Sequence, residues 1–405
     1  MFPIERFRDL AVKTETRIVQ LVVDGLGGLP NETGRSELEV ARTPNLDELA
    51  RRALCGLADP VAPGITPGSG PGHLAIFGYD PLRWEIGRGV LEALGIGMEL
   101  EPGDVAARGN FVTLDDTGTI VDRRAGRLPT EQCLQLCARL QAEIREIEGV
   151  EILIRPVKEH RFALILRGEG LGDALEDTDP QRVGARPRPV MARDEASERT
   201  ARVVRRFLER AFEILAEYTP ANGVTLRGFS RRPNLPSMSD IFRLTPAAIA
   251  TYPMYRGLAR LVGMHLIETP SEEDLVALAD RLRENFDRYD YFFVHVKKTD
   301  SCGEDGDFEG KVRVLERVDE VLIPTILALR PDVVAITGDH STPSVLRGHS
   351  WHPVPYLLYA KYLQSDDVTE FSERAFLRGG LGRFRLVEGL PQLLAHARKL
   401  LKYGA

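Results

Sequence analysis

Three segments of this chain share one plan, and that plan leaves few folds open. Each is a short apolar run, rich in β-branched or aromatic residues, that reaches an aspartate and breaks on glycine: Ile18 to Gly28 (IVQLVVDGLGG), Tyr291 to Asp307 (YFFVHVKKTDSCGEDGD) and Val333 to Pro343 (VVAITGDHSTP). Runs this short, bounded by turn residues, predict strands buried on both faces, as in a parallel sheet covered by helices. In an open parallel α/β sheet, ligands gather beyond the C-terminal ends of the strands. Asp24, Asp300 and Asp339 are then delivered to that region, with His340 beside Asp339 and His349 returning nine residues later. Adjacent carboxylate and imidazole groups offer the donors a divalent cation takes. Three carboxylates brought together repel one another unless cations lie between them, so the pattern predicts a metal site with two ions.

A second feature is the loop from Pro60 to Pro81 (PVAPGITPGSGPGHLAIFGYDP), whose first half is too rich in proline and glycine for regular structure. Ser69 sits in it, just before a short apolar stretch, His73 to Phe77, that can form a helix. A serine in such a loop is ordinarily a turn residue. At a helix N-terminus facing cations it becomes a candidate nucleophile, because the metal eases ionisation of the hydroxyl and backbone N–H groups can hold a phosphate. His73, His295 and His352 read as hydrogen-bonding core residues. The cysteines, Cys55, Cys133, Cys137 and Cys302, form no disulfide framework and read as packing residues, although Cys302 follows Asp300 closely.

A chain of 405 residues can hold two domains, and its 43% hydrophobic and 28% charged content is that of a soluble globular protein. The formal net charge of -7 disfavours general nucleic-acid or membrane-surface binding and points to a small-molecule partner. No apolar run approaches the roughly 18 residues of a membrane span, and the first residues carry scattered charges, so the expected location is cytoplasmic. The oligomeric state is left open, a homo-oligomer included.

In chain order, Thr43-Pro44 predicts a helix with threonine as N-cap and proline in the first turn. Residues 101–234 read as an inserted domain. They hold a hairpin turning near Thr117-Gly118, an amphipathic stretch from Thr130 to Ile147, a strand at Arg161 and a helix carrying Val203, Val204, Phe207, Leu208, Phe212 and Leu215. Residues 1–100 and 235–405 then form the core domain. After Asp300 a glycine-rich acidic loop is expected, followed by a helix from Val312 to Leu329 and a last surface helix near the C-terminus.

A collinear series of motifs resembles the archaeal-type cofactor-independent phosphoglycerate mutases of the alkaline phosphatase superfamily. It runs through VVDGLGG at Val22, TPNLDELA at Thr43, the Ser69 loop, GRGVLEALG at Gly87, PGDVAARGNF at Pro102, DRRAGR at Asp122, EHRF at Glu159, DTDP at Asp177, YRGLARLVGM at Tyr255, VHVKKTD at Val294, TGDHSTP and HSWHPVP. The resemblance implies an α/β fold, an alkaline-phosphatase-like, mostly parallel sheet flanked by helices, with an inserted smaller α+β domain that binds substrate. It implies one metal held by Asp24, Ser69, Asp339 and His340 and another by Asp300, Glu304 and His349. Ser69 would take the phosphoryl group of 3-phosphoglycerate as a phosphoserine and return it to the 2-hydroxyl, in a site closed to water. Arg123, Arg124, Arg161, Arg256 and Lys297 are the implied phosphate and carboxylate ligands, with Asn110, Asp122 and His160 as further substrate-binding candidates. Two departures stand out. Asp300-Ser301-Cys302-Gly303-Glu304 has glutamate where many relatives have a histidine, which favours manganese or magnesium over cobalt or zinc. Ser69-Gly70-Pro71-Gly72 lacks the polar pair that usually follows the serine. A related phosphotransferase or phosphatase, such as one resembling homoserine kinase, and a non-catalytic metal- or metabolite-binding relative are the alternatives.

Overall fold

The computed structural model describes residues 3–270 and 274–404. Its strands are β1 (Ile18–Val23), β2 (Leu54–Asp59), β3 (Val105–Leu114), β4 (Ile120–Asp122), β5 (Glu146–Ile147), β6 (Val150–Lys158), β7 (Arg161–Arg167), β8 (Gly223–Arg231), β9 (Pro246–Ile249), β10 (His265–Leu266), β11 (Tyr291–Val296), β12 (Val333–Thr337), β13 (Val354–Ala360) and β14 (Gly382–Arg385). The chain forms two compact units, one from the residues up to Glu85 and from Leu235 onward, the other from Ile86–Asn234.

The first unit is built on an eight-stranded sheet in the order β10-β9-β11-β1-β12-β13-β2-β14. At its centre β11, β1 and β12 run parallel, with Ile18 opposite both Tyr291 and Val333. Every residue of these three strands is buried, which is why their sequences are nearly continuous apolar runs rather than alternating ones. Gln20 interrupts the run in β1, and it accepts a 2.6 Å hydrogen bond from the Tyr291 hydroxyl. Their shared direction puts Asp24, Asp300 and Asp339 at one end of the sheet. Only β13 breaks the parallel run, pairing antiparallel with β12 and β2.

Two local expectations are corrected in this unit. The stretch after Asp300 is helix Lys298–Asp305 rather than a loop, closed by Gly306 in the left-handed region. Helix Pro44–Ala50 does have proline in its first turn, but the Thr43 side chain makes no capping bond. The buried Asp319 carboxylate, from helix Phe308–Ala328, accepts from the Asn45 and Leu46 N–H groups instead. A distant carboxylate thus does what a local hydroxyl was expected to do.

The second unit carries the six-stranded sheet, with β3 flanked by β7 and β8. Val105, Ala107 and Phe111 of β3 join Phe162, Leu164 and Leu166 of β7 in a core with helices Thr130–Glu143 and Glu198–Leu215. The alternate residues of these strands, among them Arg108, Asn110, Arg161 and Arg227, therefore face the other way. Helix Arg88–Gly95, expected in the core domain, belongs to this unit. Gly89 explains the fit, because a Cβ there would stand 2.4 Å from the Ala106 carbonyl oxygen, so only glycine lets helix and strand touch.

Candidate active site

Asp24 directly follows β1, Asp339 lies two residues beyond β12, and Asp300 sits in the first turn of helix Lys298–Asp305, after β11. His340 Nε2 lies 3.3 Å from Asp24 Oδ1, 3.2 Å from Asp339 Oδ2 and 3.2 Å from Ser69 Oγ. A second group stands beside the first. His349 Nε2 is 3.6 Å from Asp300 Oδ1 and 3.8 Å from Glu304 Oε1, and the His340 and His349 rings stack at 3.6 Å. Asp24, Asp339 and His340 can converge on one ion, and Asp300, His340 and His349 on another. Glu304 is the outermost member, its side chain 55% exposed against 22% for His349.

The electrostatics of the cluster match a cation site. Asp24, Asp300 and Asp339 are all buried, and Asp24 Oδ1 and Asp339 Oδ2 accept no hydrogen bond. Burial, together with the charges of Asp24 and Asp300, pushes the Asp339 carboxyl well above the usual carboxylate range. Burial would raise Asp24 too, but the Lys297 charge and a hydrogen bond from His295 outweigh it and hold Asp24 well below that range. The Lys297 ammonium lies 3.3 Å from Asp24 Oδ2 and bonds to Asp300, and these carboxylates raise its pKa against the effect of burial. Burial drives His340 well below its ordinary value, so its imidazole is neutral. One ammonium faces three buried carboxylates, a charge deficit that divalent cations would make up. The donor set of carboxylate oxygens and imidazole nitrogens fits such ions.

Ser69 is the first residue of helix Ser69–Ile76 rather than a residue of the preceding loop. Pro71 has no N–H, and the Gly72 N–H bonds to the Gly68 carbonyl. Ser69 and Gly70 therefore supply the first-turn N–H donors. Gly72 is needed at this place: a Cβ would lie 2.2 Å from the Asp339 carbonyl oxygen. The helix can thus pack directly on the end of β12 and bring Ser69 to His340. His73, one turn along, holds this contact, its Nδ1 lying 2.8 Å from the Ser69 carbonyl oxygen and 3.2 Å from Asp339 Oδ2. The His73 ring stacks on Tyr255 at 4.4 Å, and the Tyr255 hydroxyl donates to Asp24. His295 lies at the same layer, 3.5 Å from Asp24. His352 sits apart, near Ser350. Arg256 reaches the Ala250 carbonyl and Glu268.

The remaining sequence candidates lie in the second unit. Asn110 and Arg161 face each other across β3 and β7, and Arg108 faces Arg227 across β3 and β8. With Arg108 two residues before Asn110, all four side chains share the face turned from the core. Arg108 bonds to Asn110 at 3.3 Å and pairs with Glu92 at 3.5 Å. Arg123 pairs with Asp179 at 3.0 Å. Asp122 spends its oxygens on the N–H groups of Arg124 and Gly126, which shapes the turn carrying Arg123 and Arg124. His160 is buried, and that burial, with Arg161, Arg108 and Arg124 near, lowers its pKa to about 3. The group brings Arg108, Arg161 and Arg227 together on one face, with Glu92 and Asp179 paired to two of them.

Sequence reasoning passed over Arg108, Arg227 and Tyr255. The first could have been found from its two-residue spacing to Asn110 in a strand. Tyr255 adjoins Arg256 in a motif already noted, but its hydroxyl's direction is set by packing that no local pattern reveals.

A family model described as 2,3-bisphosphoglycerate-independent phosphoglycerate mutase matches residues 50–222. Over 407 residues, and all of both chains, the sequence is 56% identical to a protein of Thermus thermophilus named as a probable 2,3-bisphosphoglycerate-independent phosphoglycerate mutase. A protein of the same name from Aquifex aeolicus is 50% identical over 406 residues, covering 98% of this chain and 99% of the relative. Among solved structures, a Pyrococcus horikoshii protein superposes with a TM-score of 0.84 at 28% identity, covering 97% of this chain and 100% of the other. The cofactor-independent phosphoglycerate mutase of Thermoplasma acidophilum superposes with a TM-score of 0.72 at 30% identity, covering 94% and 100%. Among the described residues, no helix is long and apolar enough to cross a membrane.

Proposed function

Because the chain belongs to the 2,3-bisphosphoglycerate-independent phosphoglycerate mutase family, we propose that it interconverts 3-phosphoglycerate and 2-phosphoglycerate through a phosphoserine on Ser69. The observation that carries this reading is the position of Ser69 Oγ, 3.2 Å from His340 Nε2 at a helix N-terminus, against buried carboxylates short of positive charge. Asp24, Ser69, Asp339 and His340 would hold one divalent ion, and Asp300, Glu304 and His349 the other. Such ions, manganese or magnesium by preference, supply charge that eases ionisation of the serine hydroxyl and neutralises the phosphoryl oxygens.

In the first transfer a bond forms between Ser69 Oγ and phosphorus as the bond from phosphorus to the substrate's 3-oxygen breaks. In the second, the glycerate 2-oxygen displaces Ser69. Neither step consumes water or an outside phosphoryl donor, so the residues must hold glycerate and exclude water between them. Lys297 is assigned to the transferring phosphoryl group, since its ammonium already faces the carboxylates around Ser69. The Arg108, Asn110, Arg161 and Arg227 face, with Arg123, Arg124 and His160, is assigned to the carboxylate and phosphate charges of the substrate. Arg256 and Asp122 act at one remove, through the segments they brace.

The test is conversion of 3-phosphoglycerate by metal-depleted protein without bisphosphoglycerate, with manganese, magnesium, cobalt or zinc restored in turn. Isomerisation that returns with metal, is lost in Ser69→Ala and releases little phosphate is the expected result. Isomerisation that survives in Ser69→Ala would overturn the phosphoserine route, and full activity without metal would overturn the metal assignment.

A further inference from the structure

Thr342 has a place at the site that neither its side chain nor its motif announces. Its hydroxyl lies 2.7 Å from Asp300 Oδ1 and 2.8 Å from His340 Nδ1. A hydroxyl has one proton to give, and an ionised carboxylate can only accept. The proton therefore goes to Asp300, and His340 Nδ1–H must donate to the hydroxyl oxygen. That leaves the lone pair of His340 on Nε2, the atom that faces Asp24, Asp339 and Ser69. One hydroxyl thus orients a carboxylate of one metal group and selects the ligand atom of the other.

The backbone around Thr342 holds the hydroxyl in place. Its N–H bonds to the Gly27 carbonyl at 3.0 Å, in the loop after β1, and its carbonyl accepts at 2.9 Å from the buried Lys311 ammonium. Lys311 also reaches the Gly27 carbonyl at 3.1 Å, so one buried cation ties together the loops beyond β1 and β12. Space is shut as well. A Cβ on Gly25 would stand 2.6 Å from the Thr342 hydroxyl, and Gly25 itself adopts a φ of +63°. Glycine at position 25 is therefore what lets the loop after β1 lie this close to the hydroxyl.

We propose that Thr342 is the positioning residue that couples the two metal groups, fixing His340 as the Nδ1–H tautomer and Asp300 in its ligating orientation with a single hydroxyl. This rests on the reading of the cluster as a two-ion site. Groups that orient metal ligands in this way typically contribute about 10–100-fold in metal affinity.

The test compares the full-length protein with Thr342→Val, which keeps the shape and loses the hydroxyl, and Thr342→Ser, which keeps the hydroxyl. Two readouts are used: manganese binding by calorimetry, and the ring nitrogen shifts of His340 in histidine-labelled, metal-free protein, assigned with His340→Gln. The wild type and Thr342→Ser are expected to show the Nδ1–H tautomer and to bind manganese within a few-fold of each other. Thr342→Val is expected to lose the single tautomer and bind about 10–100-fold more weakly. Should Thr342→Val not fold, the wild-type tautomer and Thr342→Ser still decide. A wild-type Nε2–H tautomer, or a Thr342→Ser protein that loses either property, overturns the proposal. So does a Thr342→Val protein in which affinity and tautomer do not change together. A wild type that takes up no manganese or other divalent ion overturns the two-ion reading itself, and the proposal with it.

Discussion

His349 Nδ1 lies 2.9 Å from the carbonyl oxygen of Pro67, two residues before Ser69. A carbonyl only accepts, so Nδ1 carries a proton, and Nε2 is the ring nitrogen turned toward Asp300 and Glu304. The serine loop therefore orients an imidazole of the group to which the serine does not itself belong. Replacing the ring should remove one ion and spare the other. In His349→Ala, titration of metal-free protein with manganese is expected to show one tight site where the wild type shows two, with Asp24, Asp339 and His340 retained. Unchanged stoichiometry and affinity would exclude His349 as a ligand.

Glu304 is the member of that group whose chemistry is least like an imidazole. Burial and the nearby Asp300 charge raise its pKa, so it is held in a setting that resists a further negative charge until a cation arrives. An anionic oxygen favours hard ions, and an imidazole in its place favours softer ones. Glu304→His is expected to shift the preference from manganese toward zinc, by about tenfold in the ratio of dissociation constants. Competition between the two ions measures it, and a ratio that does not move would mean that Glu304 stays outside the coordination sphere.

Gly72 permits the approach that brings Ser69 to His340, because its missing Cβ would otherwise sit 2.2 Å from the Asp339 carbonyl oxygen. The nearest atoms are backbone and cannot give way. Gly72→Ala should cost about 1–3 kcal/mol in stability, as overpacking does. It should also displace Ser69 and lower kcat by about 100-fold, the effect of a misplacement near 1 Å. Gly68→Ala is the control, since a Cβ there meets only Pro71 Cδ, at 3.7 Å. Equal losses in both variants would show that helix geometry in general, not this contact, matters.

What could be read from the sequence was whatever the sequence carries locally. Ile18–Val23, Tyr291–Val296 and Val333–Thr337 are mainly apolar runs, and both the parallel sheet and the meeting of Asp24, Asp300 and Asp339 followed from them. The Asp339-His340 pair and its likeness to known motifs pointed to the groups that could hold metal ions. What escaped was decided by residues far apart in the chain. The cap on helix Pro44–Ala50 comes from Asp319, the covering of β3 by helix Arg88–Gly95 depends on Gly89 meeting Ala106, and Tyr255 reaches Asp24 across 231 positions. The acidic stretch after Asp300 reads as loop because its glycines lower helix propensity, yet Gly303 packs against the Thr342 carbonyl, where a Cβ would fall at 2.3 Å. Tertiary contact overrode local preference there.

The second unit carries a pH dependence that can be assigned to one residue. His160 is buried, and that burial, with Arg161, Arg108 and Arg124 around it, brings its pKa down to about 3 in the folded chain, from an ordinary value of 6.5. Between those values the unfolded chain takes a proton that the folded chain does not, so stability falls as pH drops from about 6.5 toward about 3. The full slope is about 1.4 kcal/mol per pH unit, which amounts to about 2 kcal/mol between pH 7 and pH 5. His160→Gln keeps a polar side chain and removes the titration. Urea unfolding of both proteins at the two pH values is expected to show the wild type losing about 2 kcal/mol more than the variant on acidification. Carboxylates elsewhere contribute equally to both and cancel in the difference. Parallel losses would mean that His160 is free to charge in the folded state, and that the cationic face around it is more open to water than its burial implies.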